Sequence, residues 1–484
     1  MMTEREQTSE MRFPALELSA PRVSATWFEE PLLVFSGEHK HIDPQVGIPL
    51  YGPRSFGTSR HKSQVHVGFI GTAESVDRAR AFLTHCADGV DGDDFHVPFP
   101  GFRSDRGFRA DLVFADELVE TITRQDANNI LAIKRSKDRL EQMLLLLERK
   151  MQLLTQKDHP LDYIVIAISN DLASKCRTAN YLDGGMQVHK DLRRAFKVMA
   201  MKYQKPTQIL LDRTTDLEVE SRNLDHKALR AWNLFTGLYF KVDGLPWGPT
   251  NMTPGSCFIG ISFFKPAKNS SLMRTSVAQA FDENGEGLVL RGHSFKWDED
   301  KDGRTPHLPA DLASSLIETV LERYSQERRQ VPRRVVIHKS SRFGLPERDG
   351  FEEALKGKVQ EYDLVSLSET SDVRLIRSGQ FPPLRGTCFD VGIDSYMYTS
   401  GYLRSRQAYL HGHVPSPLRI TDHVGDTAKH QILREVLALT KMNWNSANMY
   451  SKVPITLLFS RLVGDIMREV PESMEPQPKY KFYI

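Results

Sequence analysis

Apolar and polar positions alternate along this chain in two rhythms, one of strands and one of helices. At 65–71 the run Val-His-Val-Gly-Phe-Ile-Gly reads as a short buried strand ending in glycine, with a helix predicted over 75–86 behind it. A Leu-, Lys-, Glu- and Arg-rich stretch predicts one long helix over 128–156, which His159-Pro160 stops. The continuous apolar run at 163–168 suits a strand buried on both faces. A helix over 188–203, a strand over 207–211 and a helix over 225–237 follow. Such alternation implies a mainly parallel sheet with helices on both sides. After the break Pro246-Trp247-Gly248-Pro249, strands are expected at 256–264 and 335–338, with helices at 310–327 and 351–358. Strand-rich text runs on to about 409, and helices at 427–440 and 454–468 close the chain. The early part differs: the first twenty or so residues read as a frayed terminus, and 27–53 as strands and turns without helix.

This is an α/β protein of two or three domains, since 484 residues exceed one ordinary domain. Residues 1–60 form an extension with linker strands, 61–248 a first domain and 249–484 a second. No apolar run approaches the roughly 18 residues of a membrane span, and the first residues lack a signal-peptide core. The four cysteines (Cys86, Cys176, Cys257 and Cys388) have neither metal-ligand nor disulfide-framework spacing, so a reduced, cytoplasmic protein is expected. The net charge of +2 neither supports nor excludes nucleic-acid binding, because only a binding channel has to be positive.

The strongest local chemistry lies between positions 188 and 241. Arg193 and Lys197, four apart, share one helical face; Gln208 opens the next strand, and Lys241 follows a further helix. Cations and an amide donor converging on one point would suit a terminal phosphate. On spacing alone, however, Arg and Lys at i, i+4 more often form a solvated face. Other candidates are weaker. Asp298, Glu299, Asp300 and Asp302 read as a solvated hairpin tip rather than a calcium loop, and His411 and His413 as an exposed turn. The acidic pair Asp390 and Asp394 adds no metal spacing either.

Leu192-Arg193-Arg194-Ala195-Phe196-Lys197, Pro206-Thr207-Gln208 and Leu238-Tyr239-Phe240-Lys241 with Pro246-Trp247 resemble the MID domain of Argonaute proteins, in particular the short prokaryotic ones. The resemblance implies a Rossmann-like MID domain in which Arg193, Lys197, Gln208 and Lys241 hold the 5′-phosphate of a guide. It also implies that the carboxylate of Ile484, at the end of the aromatic tail Tyr480-Lys481-Phe482-Tyr483-Ile484, enters the pocket with Mg2+.

The second half is similar to the PIWI domain, an RNase H-like fold, through Phe258-Ile259-Gly260-Ile261-Ser262, His338-Lys339-Ser340, Arg385-Gly386-Thr387, Leu439-Thr440-Lys441 and Val453-Pro454-Ile455-Thr456. Cutting members of the family place carboxylates where this chain has Ser262, Ser340 and Arg461. Hydroxyls are poor ligands for a hard dication and arginine repels it, so the two-metal site is expected to be degenerate and the chain not to cleave. The rival reading is a guide-dependent endonuclease with displaced ligands.

The resemblance further implies a cytoplasmic sensor subunit of prokaryotic defence against plasmids and phages, one without room for the N and PAZ domains of long Argonautes. It would carry a short guide, by resemblance RNA, and pair it with a complementary single-stranded DNA target. It would then activate an APAZ-containing effector (TIR, SIR2 or nuclease), with possible oligomerisation of the complex. The residues themselves do not distinguish RNA from DNA.

Overall fold

The computed structural model describes residues 23–217, 224–250, 252–266, 272–281, 287, 289–370, 372–409, 414–471, 474–475 and 477–484. The first twenty residues and the His411/His413 turn therefore lie outside the described residues. Among those described, no helix is long and apolar enough to cross a membrane.

The chain enters through three short strands, β1 (Ala25–Trp27), β2 (Leu33–Val34) and β3 (Lys40–His41), and then α1 (Pro44–Tyr51). That helix corrects the all-extended expectation for 27–53. Prolines and glycine make the segment read as turns, yet Asp43 caps it by accepting from the Gln45 backbone N–H, and Pro44 occupies the first turn, where no N–H is missed.

Next comes the parallel sheet. It opens with β4 (Gln64–Gly71) and α2 (Ala73–Asp88), and after the separate hairpin β5 (Phe102–Arg103) and β6 (Arg106–Gly107) comes β7 (Asp111–Thr121). The expected long helix is two, α3 (Arg124–Ala132) and α4 (Ser136–Thr155), because Ile133 leaves the helical conformation. Then follow β8 (Tyr163–Ile168), whose six residues are all buried, and α5 (Asn170–Cys176). The predicted helix over 188–203 starts late. Residues 186–191 belong to a hairpin, β9 (Thr178–Asp183) and β10 (Met186–Asp191), turned by Gly184 and Gly185 at φ 54° and 81°, where side chains are disfavoured. α6 (Leu192–Met201) begins behind the Asp191 cap. β11 (Thr207–Leu211), the one-turn α7 (Asp212–Thr215), α8 (Lys227–Lys241) and β12 (Gly248–Pro249) complete this half. The sheet order is β11-β8-β4-β7 and every pairing is parallel, as the alternation implied.

The second half holds β13 (Ser256–Phe264), β14 (Leu272–Phe281), β15 (Val289–Lys296), the short α9 (Glu299–Asp302), α10 (Ala310–Arg328), β16 (Arg334–Lys339), α11 (Leu345–Leu355) and β17 (Glu361–Glu369). After these come β18 (Thr387–Val391), β19 (Asp394–Met397), β20 (Leu418–Gly425), α12 (Lys429–Leu439) and α13 (Ile455–Met467). The helix expected over 351–358 starts six residues sooner, because Pro346 sits in its first turn and the Glu347 carboxylate accepts from the Gly344 N–H. The nine strands run β1-β18-β19-β20-β17-β16-β13-β14-β15, with β13, β16 and β17 parallel at the centre. The N-terminal segment thus closes the far sheet edge. Glu30 is held between Arg385 (2.9 Å) and Lys441 (3.0 Å), and Asp43 bonds Arg406, which ties that segment to the second half. The acidic group at 298–302 is no hairpin tip: Asp298 caps α9, and Glu299 pairs with Lys265 at 2.6 Å.

Candidate nucleic-acid interface

The carboxyl ends of β8 and β11 open into a cavity of about 910 Å³, where a parallel α/β sheet is expected to receive its ligand. Its lining includes Arg193, Lys197, Gln208 and Ile484, with Asn170, Arg177 and Arg213. The first turn of α6 faces the same space and offers the positive end of its dipole. α6 is amphipathic, so its buried face carries Lys197 inward among Leu192, Phe196 and Val198.

Lys197 is 3% exposed and donates to the Thr207 carbonyl at 2.6 Å and to a terminal oxygen of Ile484 at 2.5 Å. Lys241, 1% exposed, donates to Gln208 Oε1 at 2.7 Å and to Thr207 O at 3.3 Å. Four of the five expected groups are therefore linked in one network. Arg193 stands exposed on the cavity lining, and its charge is felt at both lysines. Burial pushes Lys197 well below the usual lysine range, and the Lys241 and Arg193 charges add to this. Burial, with Arg193 beside it, lowers Lys241 to about 7. Apart from the chain end, these ammonium groups meet neutral oxygens only, an arrangement that favours an incoming anion.

The tail folds inward. Tyr480, Phe482, Tyr483 and Ile484 are all buried, Tyr480 stacks on Phe459 with centroids 3.6 Å apart, and Lys481 pairs with Asp243 at 2.7 Å. Around Ile484 the cavity also presents the side-chain amides of Gln208 and Asn445. One carboxylate with neutral amide oxygens is a hard donor set of the kind Mg2+ accepts. Gly237, one turn before Lys241, lines the same wall, and a Cβ there would come within 3.5 Å of Asn445 Oδ1.

The second group of expected positions gathers at the carboxyl edge of the large sheet. Ile261 pairs with Lys339 in the β13–β16 register, which sets Ser262 and Ser340 side by side just beyond. Ser262 Oγ donates to the Ser460 carbonyl at 2.9 Å, so α13 delivers Arg461 to the same edge. Gly260 makes this approach possible: a Cβ there would lie 2.1 Å from the Thr456 carbonyl oxygen. Arg461 donates to Glu369 Oε1 at 2.8 Å, and Lys452 reaches Glu369 Oε2 at 3.0 Å. Burial raises the Glu369 carboxyl, but Arg461 and Lys452 outweigh it and hold the group below its usual range. Asn445, Lys452 and Glu369 escaped the sequence reading, although the Val453-Pro454 step directly after Lys452 lies in text that resembled the family. Glu369 ends a strand that showed no motif.

Among the described residues, Asp93, His96 and His226 are near enough to share a metal ion. They are otherwise engaged: Asp93 takes His96 Nδ1 at 2.8 Å, and His226 Nδ1 caps α8 by accepting from the Ala228 N–H at 3.3 Å.

No family profile matches the sequence, and neither does any curated protein. Solved structures do match. Clostridium butyricum Argonaute, bound to a guide DNA with a 5′ deoxycytidine and a 19-mer target DNA, has a TM-score of 0.64 and 14% identity over 93% of this chain and 54% of its own. The chain has the Argonaute fold. A. aeolicus Argonaute follows at a TM-score of 0.58 with 15% identity (94% and 55% covered), and Drosophila Piwi at 0.58 with 13% (95% and 56% covered). The chain thus spans little more than half the length of the Argonaute structures it matches. Within this fold the first half takes the MID place and the second the PIWI place, and the lysine cavity is walled mainly by the MID-like half, with Asn445 and Ile484 reaching in from the other.

Proposed function

We propose that this chain binds a short guide by its 5′-phosphate, pairs it with a complementary strand, and leaves that strand uncut. The observation that carries the reading is one network of Lys197, Gln208, Lys241 and the Ile484 chain end, which opens on the cavity through Lys197, Gln208 and Ile484, with Arg193 at its wall. A phosphate dianion supplies the charge that this buried group lacks. Arg193 offers forked donors and each lysine a point charge. Mg2+, when bound, would add a further positive charge to the pocket, and the Ile484 carboxylate would hold it. The guide bases would then be read by pairing, with the protein holding the backbone.

The absence of cutting is supported by Ser262, Ser340 and Arg461, a set that offers hydroxyls and a cation in place of carboxylates. A chain that senses without cutting needs an output elsewhere. Our reading assigns this to an APAZ-containing effector (TIR, SIR2 or nuclease) in a cytoplasmic defence complex that assembles further on activation, with an RNA guide and a DNA target.

The test compares 5′-phosphorylated with 5′-hydroxyl oligonucleotides on the full chain and on its Lys197→Ala and Lys241→Ala variants. Preference for the phosphate that either substitution abolishes is the expected result. Equal affinity for both ends, indifferent to both substitutions, overturns the reading.

A further inference from the structure

The sheet edge that lacks carboxylates at Ser262, Ser340 and Arg461 is not a vacant one. Three charged side chains meet there: Arg461 from α13, Lys452 from the segment before it, and Glu369 from the end of β17. All are accessible, with side-chain exposures of 43%, 42% and 37%. Ser340 is exposed beside them, and Ser262 anchors α13 underneath. Two cations share one carboxylate, so the group keeps one positive charge. Only one nitrogen of the Arg461 guanidinium is placed on Glu369, and a guanidinium offers five N–H donors.

We propose that Arg461 and Lys452 form a clamp for one backbone phosphodiester of the strand paired with the guide, with Glu369 as the internal counter-ion that the phosphate displaces. A phosphodiester carries one negative charge, which matches the surplus of the trio. Its two unbridging oxygens suit the arginine fork, and Lys452 adds a point charge. Such a contact fixes position along the backbone and carries no base preference. The clamp rests on the guided-binding reading, because it needs a paired strand to lie along this edge.

Glu369 allows the clamp to be distinguished from a merely structural ion pair. In a structural pair, loss of either partner has the same consequence. In a clamp, the carboxylate competes with the phosphate, so the two substitutions act in opposite directions. The full chain is loaded with a 5′-phosphorylated RNA guide, and affinity for a complementary single-stranded DNA is measured across a salt series. Arg461→Ala is expected to weaken target binding about tenfold and to lower the salt slope by about one, with guide loading unchanged. Glu369→Gln is expected to tighten target binding about threefold. Normal loading with target affinity and slope indifferent to Arg461→Ala overturns the clamp alone, as does equal weakening by both substitutions. Failure of the parent chain to load any guide overturns the guided-binding reading, and the clamp with it.

Discussion

The two charged sites of this molecule are opposites in how their cations are balanced. At the MID-like cavity Lys197, on the wall, and Lys241, behind it, are almost wholly buried and, the chain end aside, meet only neutral oxygens. At the PIWI-like edge Arg461 and Lys452 are half exposed and share a carboxylate in hand. Water already screens the second pair, so that arrangement costs the fold little and holds little energy. The first is expensive, which is why the lysines are pushed down, and the expense is recovered only when an anion arrives. A buried excess of one sign therefore marks a ligand pocket more firmly than any count of surface charge.

The largest effect that could break this contrast is loss of the buried lysines. Lys197→Ala with Lys241→Ala should lower affinity for a 5′-phosphorylated guide by at least about a hundredfold, since each charge-assisted bond is worth about 1.5–3 kcal/mol. Affinity for the 5′-hydroxyl guide should change far less, and fluorescence anisotropy on both guides measures the difference. Equal losses on both would place the lysines in general packing.

The PIWI-like edge can be tested through its backbone. Gly260→Ala forces a Cβ against the Thr456 carbonyl at 2.1 Å, a backbone atom that cannot swing aside. Overpacking of this kind costs about 1–3 kcal/mol, visible as a lower midpoint in chemical denaturation. No guide-dependent product should appear with Mg2+ or Mn2+ in the parent chain, and any such product removes the non-cutting reading.

How legible these sites were in the sequence follows from the same contrast. The strands at 163–168 and 207–211 and the all-parallel MID-like sheet were readable, because burial on both faces leaves an unbroken apolar run. The helix at Pro44–Tyr51 was not, since its stability comes from the Asp43 cap and from tertiary contacts rather than from periodicity. Neither was the hairpin at 178–191, where alternation is weak and two glycines make the turn. Lys197 and Lys241 were placed by resemblance, because i, i+4 spacing cannot tell a buried face from a wet one. Glu369 and Lys452 stayed hidden: an ion pair between residues 83 positions apart leaves no local pattern.

A moderate effect sharpens the comparison through pH. Lys241 titrates at about 7 in the free chain, and a bound phosphate requires it charged. Above that value binding must take up a proton, so affinity should fall by up to about tenfold per pH unit. Below about 6 the phosphate loses its second charge and affinity falls again. Lys241→Arg, which stays charged, should make the alkaline limb shallower and leave the part owed to Lys197, which burial also pushes down, whereas the PIWI-like clamp should show no such limb. The sign for stability is the reverse. Between about 7 and the ordinary lysine range the unfolded chain holds a proton the native chain has lost, so this residue makes stability rise with pH.

The smallest effects separate the two serines. Ser262 Oγ donates to the Ser460 carbonyl at 2.9 Å, which fastens α13 to β13. Ser262→Ala should therefore cost about 1 kcal/mol. Ser340 is exposed beyond the end of β16, and Ser340→Ala should stay within about 0.5 kcal/mol of the parent. If both positions were remnants of one metal site with no later use, both substitutions would be equally silent in denaturation. A measured difference would show that one position now fastens a helix, while the other has only solvent, or a passing phosphodiester, to meet.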